Sequence, residues 1–292
     1  MDVAIHLGAH CTDGERLLRS LLRNRGPLGD LGVSVPGPGR YRDILRDVMV
    51  KLRGQVASAD TRDIVLETVL ERDEPERLIL SNPNFISMPA ATLEGNRIYP
   101  KAYKVAWIRN IFPDNPVALF LAVRNPATFL PALHGLMQGG PEEFTNFIQP
   151  TEPLAMRWSR TVAEIRAACP DCPLTVWCHE DSPLLWGEIM RAVAGVPEEA
   201  GMHGGFDLLR EIISPEGMKK LRLYTKAHPP ANDLIRRRVV GAFLDKFALE
   251  DEIDEVLDLP GWTPDLIERL TAGYERDIDA IAEIPGVRLL RA

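Results

Sequence analysis

Val3-Ala4-Ile5-His6-Leu7-Gly8-Ala9-His10-Cys11-Thr12-Asp13-Gly14-Glu15 is a short apolar run that breaks into small residues and opens into an amphipathic segment from Arg16 onward. That order reads as strand, tight loop, helix. A helix that begins just past such a loop aims unpaired backbone N–H groups, and the positive end of its dipole, into it. The loop therefore has the outline of an anion cradle. Its side chains argue otherwise, because no lysine is present and Asp13 and Glu15 stand where a phosphate needs neutral or positive groups. Two local solutions are open. Arg16 or Arg19 reaches back from the helix, with His10 helping if protonated, or Thr12 or Asp13 caps a helix start that takes no ligand.

The same grammar repeats along the chain. Apolar runs at 3–8, 78–81, 117–123 and 174–178, with a weaker one at 32–35, read as buried parallel strands. Between them, 41–52, 61–71, 102–111, 127–137 and 155–168 carry the apolar spacing of amphipathic helices. Strands that alternate with helices make βαβ crossovers, so the expected class is α/β, a doubly wound and mostly parallel sheet. Beyond about 184 the pattern is helical, at 184–193, 208–213, 215–226, 231–247 and 263–284, and 287–290 is a candidate edge strand. Pro36-Gly37-Pro38-Gly39 and 226–230 read as punctuating loops. One domain over 1–292 is expected, a core over 1–195 completed by helices over 196–292.

The chain has 292 residues, 45% hydrophobic and 26% charged, with a formal net charge of -8. That balance suits a globular protein and argues against a nucleic-acid or anionic-membrane surface. Arg236-Arg237-Arg238 and Lys219-Lys220 read as solvated helix faces. No apolar run reaches the roughly 18 to 20 residues of a membrane span, and Met1-Asp2-Val3 is no basic leader, so a cytoplasmic placement is expected. Four cysteines are too few for a disulfide scaffold, and Cys169-Pro170-Asp171-Cys172 sits where a helix leaves for a strand, which favours a plain loop over a redox or zinc motif.

In sheets of this kind ligands bind past the carboxyl ends of the strands, where strand order reverses. That places any site among the segments 9–14, 82–85, 124–128 and 179–183. Asn82-Pro83-Asn84 is also a turn former, and Asp181 also reads as a helix cap.

His6-Leu7-Gly8-Ala9-His10-Cys11-Thr12 and the helix behind it resemble the first strand and loop of the bacterial sulfotransferase-like family. That family has the P-loop fold and uses 3′-phosphoadenosine 5′-phosphosulfate. Leu78-Ile79-Leu80-Ser81-Asn82-Pro83-Asn84-Phe85 looks like its second strand and serine-containing exit. Phe120-Leu121-Ala122-Val123-Arg124-Asn125-Pro126 looks like its 3′-phosphate strand and turn, and Trp177-Cys178-His179-Glu180-Asp181 like its later strand end. The four motifs run in the family's order over about 3–195, and 274–290 has its closing helix-then-strand character.

The resemblance implies sulfuryl transfer to an acceptor hydroxyl on an unknown small molecule, with no metal. Gly8, Ala9, His10, Cys11, Thr12, Gly14, Arg16, Ser81, Arg124 and Thr128 would hold the donor, and His10 or Glu180 would be the base. The chain departs from the family where charge matters. Cys11 stands at the lysine position, Asp13 at the glycine, Gly14-Glu15 at the tandem threonines and Ala132 at the later serine. The alternative is therefore a catalytically inactive binding or interaction protein on the same scaffold. A different nucleotide or phosphometabolite in the cleft is a third option, and apolar surface on the C-terminal helices leaves a homodimer open.

Overall fold

The computed structural model describes residues 1–71, 74–249 and 258–292. Six parallel strands form the central sheet: β1 (Asp2–His6), β2 (Val33–Ser34), β3 (Arg77–Ser81), β6 (Val117–Val123), β7 (Leu174–Cys178) and β8 (Val287–Leu290). Their order across the sheet is β2-β3-β1-β6-β7-β8. The hairpin β4 (Leu93–Glu94) and β5 (Arg97–Ile98) stands apart and had no visible periodicity to announce it. The chain starts in the middle at β1, goes out to the edge at β2, comes back to β3 beside β1, then crosses to the other side of β1 at β6. The loops that leave β1, β3 and β6 therefore meet at the point of reversal.

Side-chain alternation divides the core cleanly. Val3 and Ile5 of β1, Leu78 and Leu80 of β3, and Leu119, Leu121 and Val123 of β6 face one layer. That layer holds α3 (Pro38–Leu52), α4 (Ala59–Val69), α5 (Val105–Arg109), α6 (Pro126–Leu136), α8 (Trp158–Ala168) and α13 (Pro264–Ala282). Ala4, Ile79, Phe120, Ala122 and Trp177 face the opposite layer of α1 (Arg16–Arg23), α2 (Arg25–Asp30) and α9 (Ser182–Ala194). A parallel strand covered on both faces must be apolar at successive positions, which is why these runs do not alternate with polar residues. The expected doubly wound α/β class is the class observed. A further helix, α7 (Phe144–Ile148), precedes α8.

A third apolar cluster, with Leu209, Ile213, Met218, Leu221 and Val240 at its centre, holds together α10 (Leu209–Ile212), α11 (Pro215–Ala227) and α12 (Asp233–Phe247). The candidate strand at 287–290 pairs in parallel with β7. Two sequence expectations need correction. Pro38 is not part of a loop but opens α3, since a helix's first turn needs no amide from it. Arg236 and Arg237 are not a freely solvated face, because they pair with Asp233 and Glu188, and Arg237 also reaches the Arg291 carbonyl. No helix among the described residues is long and apolar enough to cross a membrane.

Candidate functional site

The β1–α1 loop leaves the sheet along β6, with the Leu7 amide donating to Phe120 O at 2.9 Å and the Ala122 amide to Gly8 O at 2.7 Å. Gly8 turns the chain at φ +95°, and a Cβ there would lie 3.1 Å from the Pro83 backbone, so only glycine fits between the two strand exits. Cys11, Gly14 and Glu15 are also at positive φ, which curls the segment into a tight bowl.

The bowl is filled by its own polar groups. Asp13 Oδ2 accepts the Leu17 amide at 2.9 Å, Oδ1 accepts the Glu15 amide at 3.3 Å, and the Asp13 carbonyl accepts the Arg16 amide at 2.9 Å. Thr12 Oγ1 donates to Ala9 O at 2.7 Å. The Asp13 carboxylate thus caps the opening of α1.

The basic groups around the loop have been drawn into bonds of their own. Arg16 pairs with Glu211 at 2.8 Å on an exposed face, and Arg19 donates to Gly14 O at 2.5 Å. Arg124 is 7% exposed; its Nη1 donates to Cys11 O at 2.6 Å and its Nε to Thr128 Oγ1 at 2.9 Å, which ties the first loop to α6. Arg42 was not anticipated. From α3 it donates to Glu15 Oε1 at 2.6 Å and, through Nε and Nη2, to Ser81 O at 3.2 and 3.0 Å.

His10 is 4% exposed. Its Nδ1 lies 2.7 Å from the Tyr99 hydroxyl and its Nε2 2.9 Å from Asn84 Oδ1. An amide oxygen only accepts, so Nε2 carries the proton and Nδ1 accepts from Tyr99. Burial holds the imidazole below its usual pKa. Both ring nitrogens are thus spoken for, and in this arrangement His10 serves as a pillar under the loop. Ser81 is similarly engaged, its Oγ 2.9 Å from His6 Nδ1, and the His6 ring stacks on Trp177 with centroids 5.8 Å apart. Asn82-Pro83-Asn84 does form a turn, with the Asn84 amide on Asn82 Oδ1 at 3.0 Å.

At the β7 exit, Glu180 accepts the Asn125 amide at 2.7 Å and the Tyr274 hydroxyl at 3.0 Å. Although the residue keeps an exposed flank, burial of the carboxyl pushes its pKa up, and these bonds pull the other way. Asp181 lies at the start of α9 without capping it; its carboxylate meets the Ala292 amide instead. His179 is the group that sequence reasoning left unassigned. Its Nδ1 is buried with no hydrogen-bond partner among the described residues. Desolvation, then the positive charges of Arg124 and Arg16, hold its pKa down to about 4, against an opposing pull from Asp13.

A cavity of about 480 Å³ opens beside the β3 exit, between α3 and α5, lined in part by Arg42, Met49, Asn84, Phe85, Met88 and Trp107. Cys169 and Cys172 are buried free thiols in the loop from α8 to β7. No group of three or more His, Cys, Asp or Glu side chains among the described residues is placed to hold a metal ion.

No family model matches the chain. No curated protein matches it either. Among solved structures, the chain is similar to the crystal structure of a sulfotransferase from Alicyclobacillus acidocaldarius, with 11% identity, 83% of this chain and 98% of that chain covered, and a TM-score of 0.42.

Proposed function

We propose that this chain is a sulfotransferase-like protein of the P-loop fold whose phosphate cradle is closed by its own carboxylate, and that it works as a binding module without nucleotide-donor chemistry. The observation that carries this is the bond from the Leu17 amide to Asp13 Oδ2 at 2.9 Å. A donor phosphate would need those same amides and would meet a negative charge. Two like charges about 4 Å apart repel by roughly 4 kcal/mol at an effective dielectric near 20. A helix end returns only about 0.3 to 1 kcal/mol. Repulsion wins unless a cation arrives, and Arg42 and Arg16 already face Glu15 and Glu211.

The test is calorimetric titration with adenosine 3′,5′-bisphosphate. The parent protein is expected to give no heat at millimolar ligand, and Cys11→Lys combined with Asp13→Gly is expected to create binding. Micromolar binding by the parent overturns the proposal.

One observation favours a second reading, the transfer of a sulfuryl group from 3′-phosphoadenosine 5′-phosphosulfate to an acceptor hydroxyl. A neutral imidazole with an unpartnered Nδ1, His179, stands at the strand ends beside Glu180. In that reaction the acceptor oxygen bonds to sulfur as the bond from sulfur to the donor phosphate breaks. The hydroxyl proton would pass to His179 or Glu180, and Arg124, on the turn that resembles the family's 3′-phosphate turn, would hold the donor's 3′-phosphate. Release of adenosine 3′,5′-bisphosphate that depends on an added alcohol or phenol, and is lost in His179→Gln, decides for this reading.

A further inference from the structure

We propose that the cavity between α3, α5 and the exit of β3 binds a small aromatic carboxylate, with the ring of the ligand on Trp107 and its oxygens on the side-chain amides of Asn82 and Asn84. The cavity measures about 480 Å³, within the range of roughly 300 to 1,000 Å³ usual for small-molecule sites. None of residues 8–15 lines it, so a ligand there leaves the cradle untouched.

The polar end of the cavity offers donors. Asn82 Oδ1 accepts the Asn84 amide at 3.0 Å, and Asn84 Oδ1 accepts His10 Nε2 at 2.9 Å. These bonds fix which way each amide faces. With both oxygens engaged inside the protein, each side chain still has an NH2 group with two N–H donors. Neither NH2 has a hydrogen-bond partner among the described residues. Two such groups on one short turn suit the two oxygens of a carboxylate, since an N–H bond to a charged acceptor is stronger than one to a neutral acceptor. His10 thereby does more than prop the loop, because it orients Asn84.

The charges of the lining leave room for an anion. Asp43, its one acid, is paired with Arg46 at 2.9 Å, and Arg46 also meets Asp47 at 3.2 Å. Arg42 is matched by Glu15 at 2.6 Å. Lys104 is the cation left over. Its Nζ lies 4.8 Å from the centroid of the Trp107 ring, and it pairs with no carboxylate among the described residues.

The apolar side of the cavity has no cover of its own. Val50 and Met88 are 63% and 62% exposed, and with Met49 and Phe85 they line the cavity together with Trp107. An aromatic guest would take this surface out of water. The Trp107 ring is held ready for it. Gly54 passes so close that a Cβ there would lie 2.6 Å from the indole Nε1, and Tyr103 meets the ring edge-on with centroids 6.4 Å apart. Methionine side chains adapt readily to an aromatic neighbour, and a fixed indole gives that neighbour a face to stack on.

Calorimetric titration with sodium naphthoate and with naphthylmethylamine, probes that share a ring system and differ in the charge of the head group, tests this. Naphthoate is expected to bind with a Kd below about 1 mM, and the cationic amine at least tenfold more weakly. Asn84→Asp keeps an oxygen for His10 and puts a negative charge where the NH2 stood. It is expected to weaken naphthoate at least tenfold and to leave the amine bound as tightly as before or more tightly. Should that variant fail to fold, Met88→Glu, at an exposed position, reads the same loss of naphthoate. The titration uses no nucleotide, so its failure is distinct from any result with adenosine 3′,5′-bisphosphate. No naphthoate binding at about 10 mM, an amine that binds as well as naphthoate, or naphthoate affinity that neither variant alters, overturns the proposal.

Discussion

The Tyr99 hydroxyl accepts the His10 amide at 2.8 Å and gives its proton to His10 Nδ1 at 2.7 Å, so one side chain from beyond the small hairpin fixes both the backbone and the ring of the loop residue. Burial pushes the Tyr99 phenol pKa well up, which keeps it a donor at any ordinary pH. Tyr99→Phe leaves a buried amide and a buried ring nitrogen without their partner. A loss of about 1 to 3 kcal/mol is expected, read as a lower urea midpoint at unchanged slope. A variant as stable as the parent would show that water substitutes for the hydroxyl.

The Asp13 carboxylate caps the opening of α1. Asp13→Ala frees the Leu17 and Glu15 amides and is expected to cost about 0.5 to 2 kcal/mol in buffer without multivalent anions. Added sulfate should then raise the thermal midpoint of the variant more than that of the parent. Equal sulfate responses would mean that the freed amides do not form an anion site.

His179 makes stability depend on pH. Its folded pKa of about 4 is below the usual 6.5, so the unfolded chain binds the proton first as pH falls. The contribution is complete above about pH 6.5 and is lost as pH drops through about 4, amounting to about 3 kcal/mol at most. His6 and His10, also held down by burial, act with the same sign. Glu180 opposes them, because its raised pKa makes the folded state take up a proton more readily, and its contribution fades as pH rises. Urea midpoints measured between about pH 4 and 7 should rise with pH in the parent and rise less in His179→Gln.

Arg42 joins two loops by donating to Ser81 O and to Glu15. The Tyr41 hydroxyl also donates to Ser81 O, at 2.7 Å, so Arg42→Ala does not orphan that carbonyl. A loss near the low end, about 1 kcal/mol, is expected. The salt-sensitive part of it, from Glu15, should vanish in high salt. A loss unaffected by salt would assign the whole effect to the carbonyl.

The strands and most helices were legible because burial on both faces of a parallel sheet leaves an apolar run, and a helix between two layers leaves a periodic one. Val117–Val123 and Leu174–Cys178 are observed at the bounds read from the chain. The 93–98 hairpin was not legible, since two-residue strands carry no period. At the candidate site the loop, Ser81, Arg124 and Glu180 could be placed from their positions at strand ends. Arg42, Tyr99 and Tyr274 could not, because they approach from helices and turns tens to hundreds of residues away and bear no local mark of it.

What the chain determined alone was its layer pattern and the absence of a lysine from a loop shaped for an anion, because periodicity and charge are properties of neighbours in sequence. Only the tertiary structure decided where the charges went. The capping of α1 by Asp13, the commitment of both His10 nitrogens and the pairing of Arg42 with Glu15 are choices among competing partners. Such choices depend on distances that exist only once the strands have assembled.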